Sequence, residues 1–186
     1  EFNKLCQNLL YFINQYIFFI LLKKKIGFNM NISDVLRLEN ISAELKGTTK
    51  EEVINELVDL LKNDDRVINL EDVRKAVFER EKLMSTGIGK GFALPHGKTN
   101  SIKEIVAAFG KTINPVDFQA SDDEPARLIF LLVGKDNLVG PHIKLLSRIS
   151  RIMIREEARE KLLLANTPEE IYKCILEEEK NFLENF

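Results

Sequence analysis

The chain contains two histidines, and each lies in a sequence context that restricts its backbone. His96 stands between Pro95 and Gly97 at the end of the apolar run "GFALPHGKT", and His142 directly follows Pro141. A neutral imidazole has a free lone pair near pH 7, so histidine can act as a nucleophile that accepts and later releases a phosphoryl group. In an α/β domain a single histidine is more often a surface or core residue, so neither one indicates chemistry by itself.

An arginine is predicted to face the same interior. The helical period over residues 71–84 places Arg80 on an apolar stripe, whose other members are Val73, Ala76, Val77, Leu83 and Met84. A guanidinium facing the interior is costly unless an anion pairs with it, although it could instead reach solvent or a structural carboxylate. His142 lies in the first turn of its helix, where backbone donors favour an anion, on the face that carries Leu145 and Ile149. Together these side chains indicate a site for phosphate or another oxyanion.

Other classes of site fit these residues less well. A zinc site lacks a third ligand at metal-like spacing, and an arginine beside a cation would be repulsive, so we predict no metal and no cofactor. A serine hydrolase would need a G-x-S-x-G elbow, which the sequence lacks. Gly87, Gly89 and Gly91 have the wrong spacing for a dinucleotide loop, and Phe92 stands where a P-loop needs glycine. In one interpretation these glycines only allow the turn that leads into a strand. In the other they also bring backbone N–H groups close to an anion, and both interpretations stay open.

After the first thirty residues, helical and strand-like patterns alternate. Helices are predicted over residues 48–63, 70–84, 140–153 and 166–179, and buried strands over residues 105–110 and 128–134. Thr49 with Glu52 and Thr167 with Glu170 form capping boxes, and Asn69 is a helix N-cap. The pattern predicts one α/β domain with helices packed on a small sheet.

Composition and charge restrict the class of protein. The 186 residues are 45% hydrophobic and 30% charged with a net charge of −2, as in ordinary globular domains. Such a charge does not favour a nucleic-acid partner. Cys6 and Cys174 lie near opposite ends without metal or redox spacing, so we predict a reducing cytoplasmic environment.

Residues 1–29 read differently from residues 30–186, and we predict that they form an N-terminal extension to a single domain. Their apolar run at 9–22 is shorter than the roughly 20 residues that span a bilayer. Positive charge follows this run instead of preceding it as in a secretory signal. Two interpretations stay open, a non-native extension and an interfacial helix on a membrane or a partner.

Three stretches carry a resemblance to a known family: "RE" at 80–81, "STGIGKGFALPHGKT" at 85–99, and "LIFLLVG" at 128–134 followed by "GPHIKLLSRIS" at 140–150. They resemble the enzyme IIA domains of the fructose/mannitol class in the bacterial phosphoenolpyruvate:sugar phosphotransferase system. The resemblance covers residues 30–179 and is greatest to the stand-alone nitrogen-regulatory type. It implies a central mixed sheet flanked by helices.

The resemblance also implies roles for particular residues. His96 would carry the phosphoryl group on Nε2, His142 would support the phosphoryl oxygens, and Arg80 would steady their charge. The supporting positions of the motif are Glu81, Thr86, Gly87, Gly89 and Pro95.

The same resemblance implies protein partners. The donor would be phospho-HPr or its nitrogen-branch paralogue, and the acceptor an enzyme IIB domain or a regulatory target protein. We expect Phe92 and Leu94 to form a shallow docking face for them. The loop 133–140 is more charged than is usual in this family, which bears on partner choice. One alternative function is a regulatory binding module in which phosphoryl transfer is secondary. Another is a nucleotide-using enzyme, which the missing P-loop glycine makes less compatible with the sequence.

Overall fold

The computed structural model describes residues 30–184, so the prediction of an N-terminal extension concerns residues outside the described part. The described residues form six helices and six strands. The helices are α1 Ile32–Val35, α2 Lys50–Leu60, α3 Leu70–Leu83, α4 Val139–Ile154, α5 Glu156–Leu164 and α6 Pro168–Glu184. The strands are β1 Leu36–Leu45, β2 Gly87–Gly89, β3 Phe92–Ala93, β4 His96–Lys98, β5 Val106–Val116 and β6 Ala126–Gly134.

The strands build one mixed sheet in the order β1-β5-β6-β3-β2, with β4 also paired to β6. β5 and β6 are antiparallel, whereas β1 runs parallel to β5, and both β3 and β4 run parallel to β6. This arrangement confirms the predicted α/β class and the mixed sheet flanked by helices.

The centre of the sheet is its most buried part. Residues 106–112 of β5 and residues 128–134 of β6 are buried, because helices cover both faces. Central strands with two covered faces require near-continuous apolar sequence, which explains why these two strands could be predicted.

The predicted helix starts are confirmed where side chains cap them. The Thr49 hydroxyl accepts from the backbone N–H of Glu52, whose carboxylate in turn accepts from the N–H of Thr49. Asn69 caps α3 by accepting from two N–H groups of its first turn. Thr167 accepts from the N–H of Glu170 at the start of α6. Each cap satisfies backbone donors that the helix itself leaves without partners.

Other features differ from the sequence predictions or were not predicted. The apolar stripe of α3 does not extend to Leu83 and Met84, which are 81% and 71% exposed, while Glu81 is buried instead. The short α1, the edge strand β1 and the helix α5 had no prediction. Within residues 30–184, no helix is both long enough and apolar enough to cross a membrane.

A buried ion pair fixes α4 against the C-terminal helix. Glu179 of α6, 4% exposed, accepts from Arg148 of α4 at 2.9 Å and from the backbone N–H of Ile32 at 2.7 Å. Breaking such a pair leaves a buried charge without compensation, so the contact helps to hold α4 against α6.

Candidate functional site

One cavity brings together the three side chains that the sequence singled out. It measures about 360 Å³ and is lined by Arg80, His96, Gly97, Lys98, His142, Ile143 and Leu146. Arg80 comes from the last turn of α3, His96 and Lys98 from β4, and His142 from the first turns of α4. His96 is the first residue of β4, and the backbone oxygen of Pro95 just before it accepts from the N–H of Leu132 in β6.

Two glycines set how closely these elements approach each other. A Cβ atom on Gly97 would lie 2.9 Å from the backbone of Ala76 and of Val77, so β4 packs directly on the backbone of α3. A Cβ atom on Gly134 would lie 2.8 Å from Cγ of His142. Any side chain at either position would displace α3 or the His142 ring, since such contacts are shorter than packed interiors allow.

His96 is held in one tautomer by its own backbone segment. Its Nδ1 lies 2.9 Å from the Leu94 carbonyl oxygen, which can only accept, so Nδ1 carries the hydrogen. Nε2 therefore holds the lone pair. Partial burial lowers the pKa of His96, the charges of Arg80 and Lys98 lower it further, and the Leu94 carbonyl and the charge of Glu81 oppose the shift. The ring is thus kept neutral, with an unprotonated Nε2 of the kind that can act as a nucleophile.

His142 is buried without a hydrogen bond of good geometry. It is 1% exposed, and neither ring nitrogen has a partner at hydrogen-bond distance and angle among the described residues. Burial, helped by charge at His96 and Lys98, lowers the pKa of His142 to about 4, and a weak contact with the Leu132 carbonyl opposes this shift. Its ring centroid lies 6.1 Å from that of His96, with the two planes at 60°. A buried N–H without a partner costs about 1–3 kcal/mol, so this ring is poised to donate to a group that enters the cavity.

The charge of the cavity comes from two cations. No carboxylate lines it among the described residues, and Arg80 donates only to the backbone oxygen of Met84, at 2.9 Å. With neutral imidazoles, Arg80 and Lys98 give the cavity a charge of +2, which suits a phosphoryl dianion. Across residues 30–184 no group of three or more His, Cys, Asp or Glu side chains could hold a metal ion.

Glu81 and Thr86 do not line this cavity, although the charge of Glu81 is near enough to raise the pKa of His96. The buried Glu81 carboxylate accepts from both the backbone N–H and the hydroxyl of Thr86, and it pairs with Lys50 at 3.2 Å. These contacts join the end of α3 to the segment after it. They therefore support the last helical turn, which carries Arg80.

The glycine stretch does not reach the histidines. Gly87–Gly89 forms β2, and Gly89 and Gly91 have positive φ values of 98° and 71° that turn it into β3. The backbone N–H of Lys90 in this turn donates to the Asp122 carboxylate at 2.7 Å. The anion bound by this loop is thus the Asp122 carboxylate of the same protein.

The predicted docking face is wrong. Phe92 is 1% exposed and Leu94 is 3% exposed, because β3 pairs with β6 in the interior. The exposed apolar side chain that lines the cavity is instead Ile143, at 57% exposure, and we term Ile143 and the half-buried Leu146 beside it the apolar rim.

The sequence profile that describes the phosphoenolpyruvate-dependent sugar phosphotransferase system, EIIA 2, matches residues 34–178. The chain belongs to this EIIA family. A fructose-specific EIIA component of Haloferax volcanii is 35% identical over 147 residues, covering 79% of this chain and 96% of that protein. A fructose-specific EIIABC component of Bacillus subtilis is 34% identical over 81% of this chain, but the chain spans only 24% of its length.

Solved EIIA structures share the fold. Nitrogen regulatory protein IIA-Ntr of Neisseria meningitidis superposes with a TM-score of 0.73 at 33% identity, covering 77% of this chain and 98% of that one. The mannitol enzyme IIA of Escherichia coli, solved in complex with phosphorylated enzyme IIB, has a TM-score of 0.65 at 26% identity, over 76% of this chain and 99% of that one. Both the sugar-specific and the nitrogen-regulatory branches of EIIA are thus among the relatives.

Sequence reasoning missed one residue that lines this EIIA cavity. Lys98 follows His96 by two positions on β4, and residues two apart in a strand point to the same face. That spacing is the signal that could have identified it. Nothing else in the sequence distinguishes this lysine from the other lysines of the chain.

The low pKa of His142 predicts a pH dependence of stability. Between pH 6.5 and 4 the unfolded chain protonates this ring while the folded EIIA domain does not, so the unfolded state binds more protons. The contribution of neutral His142 to the free energy of unfolding is therefore fully present above pH 6.5. It is lost as the pH falls, by up to about 3 kcal/mol near pH 4. Urea unfolding at a series of pH values, compared with His142→Gln, measures this difference. Parallel curves for the two proteins would contradict it.

Proposed function

We propose that the chain is a histidine phosphocarrier that takes a phosphoryl group on Nε2 of His96 from a phosphohistidine protein and passes it on or signals with it. The observation that carries this proposal is the contact of His96 Nδ1 with the Leu94 carbonyl, because it leaves Nε2 as the nucleophile. Family membership supports phosphoryl transfer as the reaction class.

The transfer step conserves protons within the site. The Nε2 lone pair forms the new N–P bond, while the electron pair of the donor's N–P bond stays on the donor nitrogen. Nδ1 keeps its proton throughout, and the Leu94 carbonyl stabilises the positive charge that the ring gains. Transfer between two imidazoles requires mainly positioning and charge stabilisation, which a preorganised cavity supplies.

Two side chains would bind the phosphoryl oxygens. A ring N–H of His142, which forms no well-aligned hydrogen bond with the described residues, would donate to one of them. Arg80 would contribute charge from the other wall of the cavity. A carrier must also release its cargo, so the site needs only a few such groups.

The partners would be proteins of the phosphotransferase system in the cytoplasm. The donor would be phospho-HPr or its nitrogen-branch paralogue, and the acceptor an enzyme IIB domain or a regulatory target protein. The mannitol relative solved with phosphorylated enzyme IIB supports a IIB acceptor, and the Neisseria relative supports the regulatory alternative. A binding module in which transfer is secondary is the second candidate.

The apolar rim predicts where a protein partner docks. Replacing the exposed Ile143 by Ser should lower kcat/KM for uptake from the donor protein about tenfold, mainly through KM, because a small polar side chain replaces an apolar contact. Phosphorylation by the small molecule phosphoramidate should change much less, because the substitution adds no charge to the cavity. Ile154→Ser, at the other end of α4 and similarly exposed at 50%, is the matched control. An equal loss in both variants would contradict docking at the rim.

The proposed function is tested on the wild-type chain by intact-mass spectrometry after incubation with phosphoenolpyruvate, enzyme I and HPr. We expect an acid-labile gain of one phosphoryl group, roughly 80 Da. Phosphorus NMR should assign the group to Nε2. A folded protein that gains no mass from a competent donor would favour the binding module instead.

A further inference from the structure

We propose that Lys98 is a third ligand of the phosphoryl group and sets how far the transfer equilibrium lies toward the phosphorylated chain. This inference rests on the proposed function, because it concerns the group that His96 would carry.

The position of Lys98 follows from strand geometry. His96 and Lys98 are two residues apart on β4, so their side chains leave the same face about 7 Å apart along the strand. The glycine between them has its backbone against α3, and both side chains line the cavity. A lysine stem of four methylenes can cover that separation, so its ammonium can reach an oxygen bound at His96 Nε2.

The ammonium of Lys98 has no competing partner. Among residues 30–184 it forms neither a hydrogen bond nor an ion pair. Arg80, by contrast, already donates to the Met84 carbonyl, and no carboxylate lines the cavity. Lys98 is therefore the cation of the site that is free to turn toward an arriving dianion.

The charges in the cavity then balance on phosphorylation. Arg80 and Lys98 bring +2 while both imidazoles are neutral, and a phosphoryl group brings up to −2. Lys98 acts on both rings, since its charge lowers the pKa of His96 and of His142. Because Lys98 is exposed, its attraction for the phosphoryl group must weaken as salt screens it.

The test is the equilibrium ratio of phosphorylated chain to phosphorylated HPr, measured by intact-mass spectrometry. Lys98→Gln should lower this ratio about tenfold at low ionic strength, and the loss should shrink at 1 M salt, where the Debye length is only about 3 Å. Lys98→Arg should keep most of the wild-type ratio, because the charge is retained.

The matched control is Lys90→Gln, which removes the same charge at the other end of the sheet. Its strand neighbour Phe92 pairs with Leu128 of β6, whereas His96 pairs with Leu132, about 13 Å further along. A ratio for Lys98→Gln within twofold of wild type, or an equal loss in Lys90→Gln, overturns the inference and leaves the carrier intact. A wild-type chain that takes no phosphoryl group overturns both.

Discussion

His96→Ala should abolish phosphoryl labelling by phosphoenolpyruvate, enzyme I and HPr, whereas the wild-type chain gains one acid-labile group. The reason is that the only other imidazole, His142, is 1% exposed and cannot meet a donor protein. Loss of the nucleophile removes the bond-forming atom itself, so the expected effect is complete and not a change of rate. Intact-mass spectrometry of both proteins after the same incubation measures it.

The control for this variant is a measurement that shows it is still folded. His96 is partly buried and makes one side-chain hydrogen bond, to the backbone two residues earlier, so His96→Ala should unfold at nearly the wild-type temperature. Labelling that persists undiminished in a folded His96→Ala would overturn the assignment of the nucleophile.

His142→Ala should slow phosphoryl transfer about 100-fold without eliminating it, the loss typical of removing one preorganised donor to a developing charge. Burying this ring costs free energy, because neither nitrogen forms a well-aligned hydrogen bond within the described residues, and a phosphoryl group that accepts its hydrogen would offset that cost. Rapid-quench measurement of transfer from phospho-HPr gives the rate.

His142→Gln separates the donor from the space that the ring fills. An amide N–H can replace an imidazole N–H, so this variant should recover part of the lost rate. If His142→Ala transfers at the wild-type rate, the ring is only a packing element against Gly134. Equal losses in both variants would show that an imidazole is required.

The elements that could be predicted are those specified by local chemistry. Side-chain caps such as Thr49 and Asn69 and the continuous apolar runs of β5 and β6 are visible in the sequence. The edge strand β1 was missed because its polar residues interrupt any simple pattern. One of them, Asn40, is fully buried and donates to Asp64 at 2.8 Å, a contact between distant segments that no local rule reveals.

Three side chains of the candidate site could be predicted from the sequence, but Lys98 and the surroundings of the site could not. Helical spacing placed Arg80 and His142 toward the cavity that His96 also lines, and the structure brings the three together. Whether Phe92 lies inside or outside depends on β3 pairing with β6, which is a tertiary contact. The free ammonium of Lys98 is likewise known only once the neighbouring elements are placed.

The contact of α3 with Gly97 makes the geometry of the site tolerant of amino-acid substitutions elsewhere in the domain. Because the helix and the strand meet backbone to backbone there, the spacing between Arg80 and His96 does not depend on the size of any side chain between them. Core side chains elsewhere can therefore be exchanged during divergence without altering the distance between Arg80 and His96.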